Sequence, residues 1–116
     1  MKTPEFDIEK RTFQYSLDLL RFLRTLPNTT EGQVLKKQVL RSGTSIGANI
    51  HEAKGGHSKK DFSHYHSIAL KSANETVYWL KLIESLNSKS VTLTNLIDET
   101  EQLTKIIASI AIKSQQ

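Results

Sequence analysis

The sequence contains no cysteine, which excludes disulfide bonds and thiolate metal sites. It has only two prolines, Pro4 and Pro27, and both fall where a helix can begin or end. The longest apolar run, residues 106–112, is far shorter than the ~20 residues that a membrane span requires. The first ten residues, MKTPEFDIEK, are charged and lack the apolar segment of a secretory signal. These absences predict a soluble, cytoplasmic protein without a membrane partner.

The length of 116 residues is enough for one domain with one modest core. Apolar residues recur with the 3.6-residue period of amphipathic helices, and no segment alternates as a strand does. The pattern predicts a single domain over residues 1–116 with helices at approximately residues 7–26, 31–54, 59–86 and 92–113. Thr29 or Thr30 is expected to cap the second helix, and Ser58 the third. Because the loops are short, the predicted fold is an all-α, up-down antiparallel four-helix bundle.

Small residues are concentrated in the second predicted helix, in the segment SGTSIGANIHEA at residues 42–53. Gly43 and Gly47 each cost about 1 kcal/mol relative to alanine inside a helix. A chain that keeps such glycines usually needs another backbone to approach closely, so we predict tight packing at this segment. On the reverse face of the same helix, Ser45 and Ala48 are small enough to admit a partner.

The first and third predicted helices each carry two apolar stripes. On the first helix the stripe with Phe13 lies nearly opposite the stripe with Leu19, and on the third helix Trp79 and Leu80 belong to separate stripes. One small core cannot take both stripes of a helix, and exposed apolar stripes usually mark an interface. The alternative is a wide apolar arc shared between two neighbouring helices of one bundle. We predict that the bundle assembles into an oligomer, with interface residues Thr44, Ser45, Ala48, Glu52 and Trp79.

Positive charge is concentrated in the middle of the chain. The net charge is +4, and residues 31–61 contain six Lys or Arg against three acidic residues. A basic patch of this kind attracts phosphate backbones, whereas the alternative is an ordinary solvated surface. The predicted nucleic-acid contacts are Lys36, Lys37, Arg41, Lys54, Lys59 and Lys60.

No residue pattern indicates catalysis or a metal site. His64 and His66 are two residues apart, roughly 200° around a helix, so they cannot chelate one ion, and all the histidines are expected at the surface. Ser45 lacks the strand–turn–helix setting of a nucleophilic serine. The densest acidic group, at residues 98–101, is typical of a solvated helix face rather than of a metal-dependent nuclease. We therefore expect no catalytic residue, no metal and no cofactor.

Four segments of the chain resemble a known family: TSIGANIHEA at 44–53, SKKDF at 58–62, SIALK at 67–71 and ETVYWL at 75–80. They are similar to the bacterial four helix bundle protein family, whose founding members are encoded within intervening sequences of 23S ribosomal RNA genes. The more common form of the first motif has Ala-Glu-Gly where this chain has His51, Glu52 and Ala53.

This family is in turn similar to the accessory variability protein of diversity-generating retroelements. That protein is a barrel-like homopentamer of four-helix bundles, with a basic surface that binds nucleic acid and the reverse transcriptase. The resemblance implies a homopentamer and no enzymatic activity. We therefore predict a non-enzymatic, homo-oligomeric helical scaffold that binds nucleic acid, RNA in the first place and DNA otherwise. The alternative function is a protein–protein interaction scaffold whose charge serves only solubility.

Overall fold

The computed structural model describes residues 4–56, 58–87 and 90–115, and these ranges form four α-helices and no strand. The helices are α1 (Pro4–Leu23), α2 (Thr30–Lys54), α3 (Lys59–Leu86) and α4 (Val91–Ser114). Each helix packs against the next one in the chain, and α4 packs back against α1. This closed ring of helix contacts confirms the predicted all-α four-helix bundle.

Side chains from the loops cap three of the helices. The Thr29 hydroxyl accepts a hydrogen bond from the Gly32 amide at the start of α2, and Ser58 accepts one from the Asp61 amide at the start of α3. Each bond satisfies an amide that has no partner within the helix. Ser90 does the same for α4, which begins one residue before the predicted position.

The first helix differs most from its prediction. It begins at Pro4 rather than residue 7, because proline in the first turn gives up no amide that the helix needs. It ends at Leu23 rather than residue 26. Beyond that point the Thr25 and Leu26 amides donate to the carbonyls three residues earlier, at Phe22 and Leu23, which tightens the chain into the loop before Pro27.

The core takes one stripe from each helix, represented by Leu19 of α1, Ile46 of α2, Leu80 of α3 and Leu103 of α4, all without solvent exposure. On α1, Leu19 belongs to the stripe that the sequence placed opposite Phe13. The other α1 stripe therefore lies outside the core.

Two pairs of hydroxyl groups in the core join helices to one another. The hydroxyls of Thr76 on α3 and Ser42 on α2 are hydrogen-bonded at 2.8 Å. Tyr15 of α1 is 2 % exposed, and its hydroxyl lies 2.6 Å from that of Thr100 on α4. Burial raises the pKa of the Tyr15 phenol well above its usual value.

The expectation that all the histidines lie at the surface is wrong for His66, which is 2 % exposed. Its Nδ1 lies 2.8 Å from the Phe62 carbonyl one turn earlier, so Nδ1 carries the proton and donates it. The imidazole ring also packs on the Phe62 ring, with centroids 4.2 Å apart. His66 is therefore part of the packing of α3 in the core.

Candidate interaction surfaces

The two glycines of the small-residue segment lie on the side of α2 that packs against α1. A Cβ at Gly43 would stand 2.1 Å from Leu19 Cδ2, and a Cβ at Gly47 would stand 3.3 Å from the Thr12 carbonyl oxygen. At Gly47 the close neighbour is a backbone, as predicted, whereas at Gly43 it is the Leu19 side chain. The partner at this contact is α1 of the same chain.

Ser45 is turned toward α3 rather than away from the bundle. Ser72 of α3 donates its hydroxyl to Ser45 Oγ at 3.0 Å, and Asn49 donates its side-chain amide to the same oxygen at 2.9 Å. The sequence argument that put Ser45 on the reverse face of α2 is therefore wrong, because small hydroxyl residues also serve contacts between helices of one bundle. Of the predicted interface residues on this helix, Ala48 and Glu52 are exposed and Thr44 is half-buried.

An apolar groove of about 740 Å³ runs between α1 and α2 on the outside of the bundle, and we call it the α1–α2 groove. Phe13 stands in it with 69 % of its surface exposed. Gly47 and Ala48 lie on the α2 side of the groove, where they leave room for an approaching side chain. A large exposed phenylalanine beside a concave apolar surface is unfavourable in water, which makes this groove the leading candidate for an interface. Its full lining is Glu9, Lys10, Thr12, Phe13, Ser16, Gly47, Ala48, His51, Glu52 and Lys54.

One end of the α1–α2 groove carries a charged cluster. Lys54 at the end of α2 donates to the Glu9 carboxylate of α1 at 2.8 Å, and His51 Nδ1 lies 3.7 Å from the other Glu9 oxygen. The hydrogen bond from Lys54 holds the pKa of Glu9 below its usual value, and the His51 ring acts in the same direction. This cluster ties α1 to α2 beside the apolar part of the groove.

The outward stripe of α3, formed by Ile68, Trp79, Leu82 and Leu86, is the second apolar surface, and we call it the α3 stripe. Its first three members are half-buried, and Leu86 is 63 % exposed. Trp79 packs partly against the core, and the predicted interface role therefore applies only to the rest of its ring.

The indole of Trp79 donates to Glu75 at 2.8 Å, and Arg41 of α2 forms an ion pair with the same carboxylate oxygen. The indole hydrogen bond, followed by the Arg41 pair, holds the pKa of Glu75 below its usual value. Arg41 was predicted to contact nucleic acid, and in this chain its charge is partly satisfied by Glu75 of α3.

The six basic residues predicted to contact nucleic acid are spread along the bundle. Lys36 and Lys37 lie in the first half of α2. Lys54 ends α2, about 27 Å along the helix from Lys36 at a rise of 1.5 Å per residue. Lys59 and Lys60 begin α3. A ligand that touches all of these lysines must therefore span most of the length of the bundle.

The predicted basic residues also differ in how much of their charge is available. Arg41 is paired with Glu75, and Lys54 is paired with the glutamate of the groove. Lys37 and Lys60 are exposed, and neither forms an ion pair within residues 4–56, 58–87 and 90–115. The lysines without such pairs are therefore the better phosphate contacts.

The acidic segment of α4 is engaged in contacts between helices. Arg11 of α1 reaches both oxygens of Glu99 at 2.7 Å, and this contact raises the pKa of Arg11. Lys81 of α3 lies 3.8 Å from Glu101. Among the described residues, no group of three or more His, Asp or Glu is arranged to hold a metal ion. In the same part of the chain, no helix is both long and apolar enough to cross a membrane.

Sequence reasoning missed the part that α1 plays in the candidate interface. Phe13 was assigned to an outlying stripe, but its position opposite Ala48 depends on the way α1 and α2 pair. Glu9 and Lys10 also line this groove and were not predicted, because isolated charged residues in the first turns of a helix carry no signal of their own.

Comparison with known proteins agrees with this architecture. The family model described as 23S rRNA-intervening sequence protein matches residues 4–109. A similar solved structure is the 1.70 Å crystal structure of a protein of unknown function from the S23 ribosomal protein family of Bacteroides thetaiotaomicron. It is 33% identical in sequence, with a TM-score of 0.85, and the match covers 94% of this chain and 98% of that chain. Among curated proteins, none matches.

Proposed function

The chain belongs to the 23S rRNA-intervening sequence protein family, and from this premise we propose that it is a non-enzymatic, homo-oligomeric helical scaffold that binds nucleic acid. RNA is the first candidate ligand, and a pentamer is the assembly that the similarity to the accessory variability protein implies. The single observation that carries the proposal is the α1–α2 groove, with Phe13 69 % exposed beside Ala48.

Self-association is favoured because it removes this apolar surface from water. Burial of apolar surface contributes roughly 25 cal/mol per Å², so even part of the groove and the α3 stripe is worth several kcal/mol in an interface. Ala48 and Gly47 leave space for a side chain of another copy, while Glu52 and Lys10 at the rim supply charges for its polar edge.

The two apolar surfaces lie on different sides of the protein. The α1–α2 groove faces outward between the first two helices, whereas the Trp79 part of the α3 stripe lies where Glu75 meets Arg41 of α2. If the α1–α2 groove of one copy contacts the α3 stripe of the next, the contact is heterologous. Such a contact closes into a ring when the rotation between neighbouring copies divides a full turn evenly. A cyclic oligomer such as a pentamer is the closed form of this arrangement.

Nucleic-acid binding is supported by charge. The chain carries a net charge of +4, and Lys37 and Lys60 are exposed cations without ion pairs in the described ranges. In a ring the basic residues of every copy act together, so a moderate charge on each chain becomes a strong field on the assembly.

The mass of the purified protein in solution, measured with and without RNA, tests the assembly. Wild type is expected as an oligomer, and Ala48→Leu is expected to weaken it by roughly 1–3 kcal/mol per site through overpacking. Ser109→Leu is the matched control, since it adds the same side chain to an exposed position of α4 outside the groove. A single chain at micromolar concentration, or an unchanged mass for Ala48→Leu, contradicts the proposed contact.

Binding of mixed-sequence RNA over a series of salt concentrations tests the ligand. Phosphate contacts predict that log affinity falls linearly with log salt. The absence of binding at low salt would remove nucleic acid from the proposal without affecting the oligomer.

A protein–protein interaction scaffold is the second candidate function. It is favoured by the mostly apolar lining of the α1–α2 groove and by the pairing of Arg41 and Lys54 within the chain. This candidate predicts that a defined protein partner is captured and that Lys59→Glu with Lys60→Glu leaves the capture intact. Loss of the partner in that double variant counts against it.

A further inference from the structure

The outward face of α3 carries a row of basic residues that the predicted nucleic-acid contacts mostly omit. Its positions follow the i, i+3, i+4 spacing of one helix face, and every one of them is exposed. We call this row, together with Ser67 and Tyr78 that lie within it, the α3 lysine face, and its residues are Lys60, His64, Ser67, Lys71, Tyr78 and Lys81. Only Lys60 belongs to the set predicted from the sequence.

We propose that the α3 lysine face is the binding site for single-stranded nucleic acid, with phosphates beside Lys60, Lys71 and Lys81 and a base stacked on Tyr78. This inference rests on the proposed function, since it takes nucleic acid as the ligand and names where and in which form it binds.

The charge along the face suits a polyanion. Within residues 60–81, no position of the face is acidic. Of the nearby carboxylates, Glu75 accepts from Trp79 and Arg41, and Glu101 of α4 lies 3.8 Å from Lys81, where it offsets part of that charge. By contrast, the outer face of α4 exposes Asp98, which repels phosphate.

The geometry suits an extended strand. Lys60 and Lys81 are separated by about 32 Å along the helix, with Lys71 near the middle. A straight row of widely spaced point charges follows a flexible backbone, and it offers none of the fork-shaped arginine contacts that read base edges in a duplex. Three lysine–phosphate contacts on a single strand give a salt slope of about 2.

The aromatic group on this face distinguishes a single strand from other polyanions. Tyr78 is 60 % exposed and lies edge-on to Trp79, with ring centroids 5.0 Å apart. Trp79 below it is half-buried, and Glu75 holds its indole, so the support under Tyr78 is fixed. An exposed aromatic ring held in this way among lysines is a stacking platform for an unpaired base.

The face remains accessible when the α1–α2 groove is buried in an interface, because no residue of that groove lies on α3. Lys81 approaches Glu101 of α4, which puts its end of the lysine face on the α4 side of α3. Trp79 of the α3 stripe lies on the opposite side, where Glu75 meets Arg41 of α2. Ile68 and Leu82 of the α3 stripe follow His64 and Tyr78 by one helical turn, so an interface built on the stripe borders the lysine face at these positions.

The test compares two charge-matched double variants of the full chain for binding to a mixed-sequence single-stranded RNA at about 50 mM salt. Lys71→Gln with Lys81→Gln is expected to weaken binding about tenfold or more and to lower the salt slope by about 1.4. The control, Lys105→Gln with Lys113→Gln on α4, removes the same charge from exposed positions and is expected to change affinity only slightly.

Tyr78 is tested with Tyr78→Leu and Tyr78→Phe. The leucine variant is expected to lose at least about fivefold in affinity, while the phenylalanine variant, which keeps the ring, retains it. Because Trp79 is the only tryptophan and lies next to Tyr78, its emission is expected to change when RNA binds wild type. Circular dichroism and solution mass of each variant show that fold and assembly are retained.

The outcomes separate this inference from the proposed function. If wild type binds RNA but the α3 and α4 double variants behave alike, the nucleic-acid function stands and the α3 site is overturned. If the lysines matter but Tyr78→Leu does not, or if heparin and duplex RNA bind as well as the single strand, the face is a general polyanion surface and the single-strand site is overturned. If wild type binds no nucleic acid, both proposals fail on the ligand.

Discussion

At the scale of single residues, the two glycines of α2 differ in the room that their neighbours leave. A methyl group at Gly43 would meet Leu19 Cδ2 at 2.1 Å inside the core, whereas one at Gly47 would meet the Thr12 carbonyl oxygen at 3.3 Å. Alanine also gains roughly 1 kcal/mol of helix propensity at each position. We expect Gly43→Ala to lower the free energy of unfolding by about 1–2 kcal/mol, because the repacking of Leu19 outweighs that gain.

Gly47→Ala is the matched comparison, and its unfolding free energy is expected within about 1 kcal/mol of wild type, since α1 must shift by only a few tenths of an ångström. Urea unfolding followed by circular dichroism measures both variants. Equal destabilisation of the two variants would show that the contact with Leu19 does not decide which glycine can be replaced by alanine.

The second residue-scale prediction concerns Glu75, whose pKa in the folded protein lies below its usual 4.5 because of the Trp79 hydrogen bond and the Arg41 pair. A lowered folded pKa means that the carboxylate stabilises the fold above the unfolded pKa, and that this contribution is lost as the pH falls through the folded value. We expect Glu75→Gln to lose less stability than wild type below about pH 4.5.

Trp79 emission provides the local readout of this titration, since its indole bonds directly to Glu75. Wild type is expected to show an emission step below about pH 4.5 that Glu75→Gln lacks. Glu9→Gln removes the other carboxylate of lowered pKa and serves as the control, which should keep the step. A step of equal size in Glu75→Gln would contradict the assignment.

At the scale of helices, hydroxyl pairs hold α2 and α3 in one axial position. Thr76 and Ser42 are both at most 1 % exposed, and their hydroxyls bond at 2.8 Å. Thr76→Val keeps the shape of the side chain but leaves Ser42 without this partner, at a cost of about 1–3 kcal/mol. Adding Ser42→Ala removes the orphaned hydroxyl, so the double variant is expected to lose less stability than the sum of the single variants.

Unfolding in urea measures each corner of this double-mutant cycle. Thr94→Val, at an exposed position of α4, makes the same chemical change outside the core and is expected to stay within about 0.5 kcal/mol of wild type. Additive effects at Thr76 and Ser42 would show that the two hydroxyls act independently of each other.

Helix positions were predictable wherever a local chemical signal marks the end. The cap at Ser58 and the periodicity of α3 predict residues 59–86, and the helix runs from Lys59 to Leu86. The end of α1 was placed three residues too late, because Pro27 excludes helix only at and just before itself. The direction of Ser45 was not predictable, since small residues suit contacts within a bundle and contacts between copies equally well.

At the scale of the whole molecule, the sequence indicated that some apolar residues lie outside the core. It did not indicate which of these residues from different helices lie side by side. Periodicity separates Phe13 from the core stripe of α1. Only the packing of α1 on α2 brings it beside Ala48 in one groove. Composition likewise indicates a basic chain, but ion pairs such as that of Arg41 with Glu75 depend on which helices are neighbours. Local patterns therefore identify candidate residues, and tertiary pairing decides which of them act together.

The proposed assembly through the α1–α2 groove predicts that the thermal stability of the protein depends on its concentration. Association that buries the groove stabilises the folded state by mass action, so the midpoint of thermal unfolding is expected to rise with protein concentration. Phe13 is 69 % exposed within the chain, so Phe13→Ser is expected to change the isolated bundle little but to remove this dependence. Val91→Ser, at a 79 % exposed apolar residue at the start of α4, is the matched control and should keep it. Calorimetry over a roughly hundredfold range of protein concentration measures the effect. The same concentration dependence in Phe13→Ser and in wild type would exclude the groove as the interface.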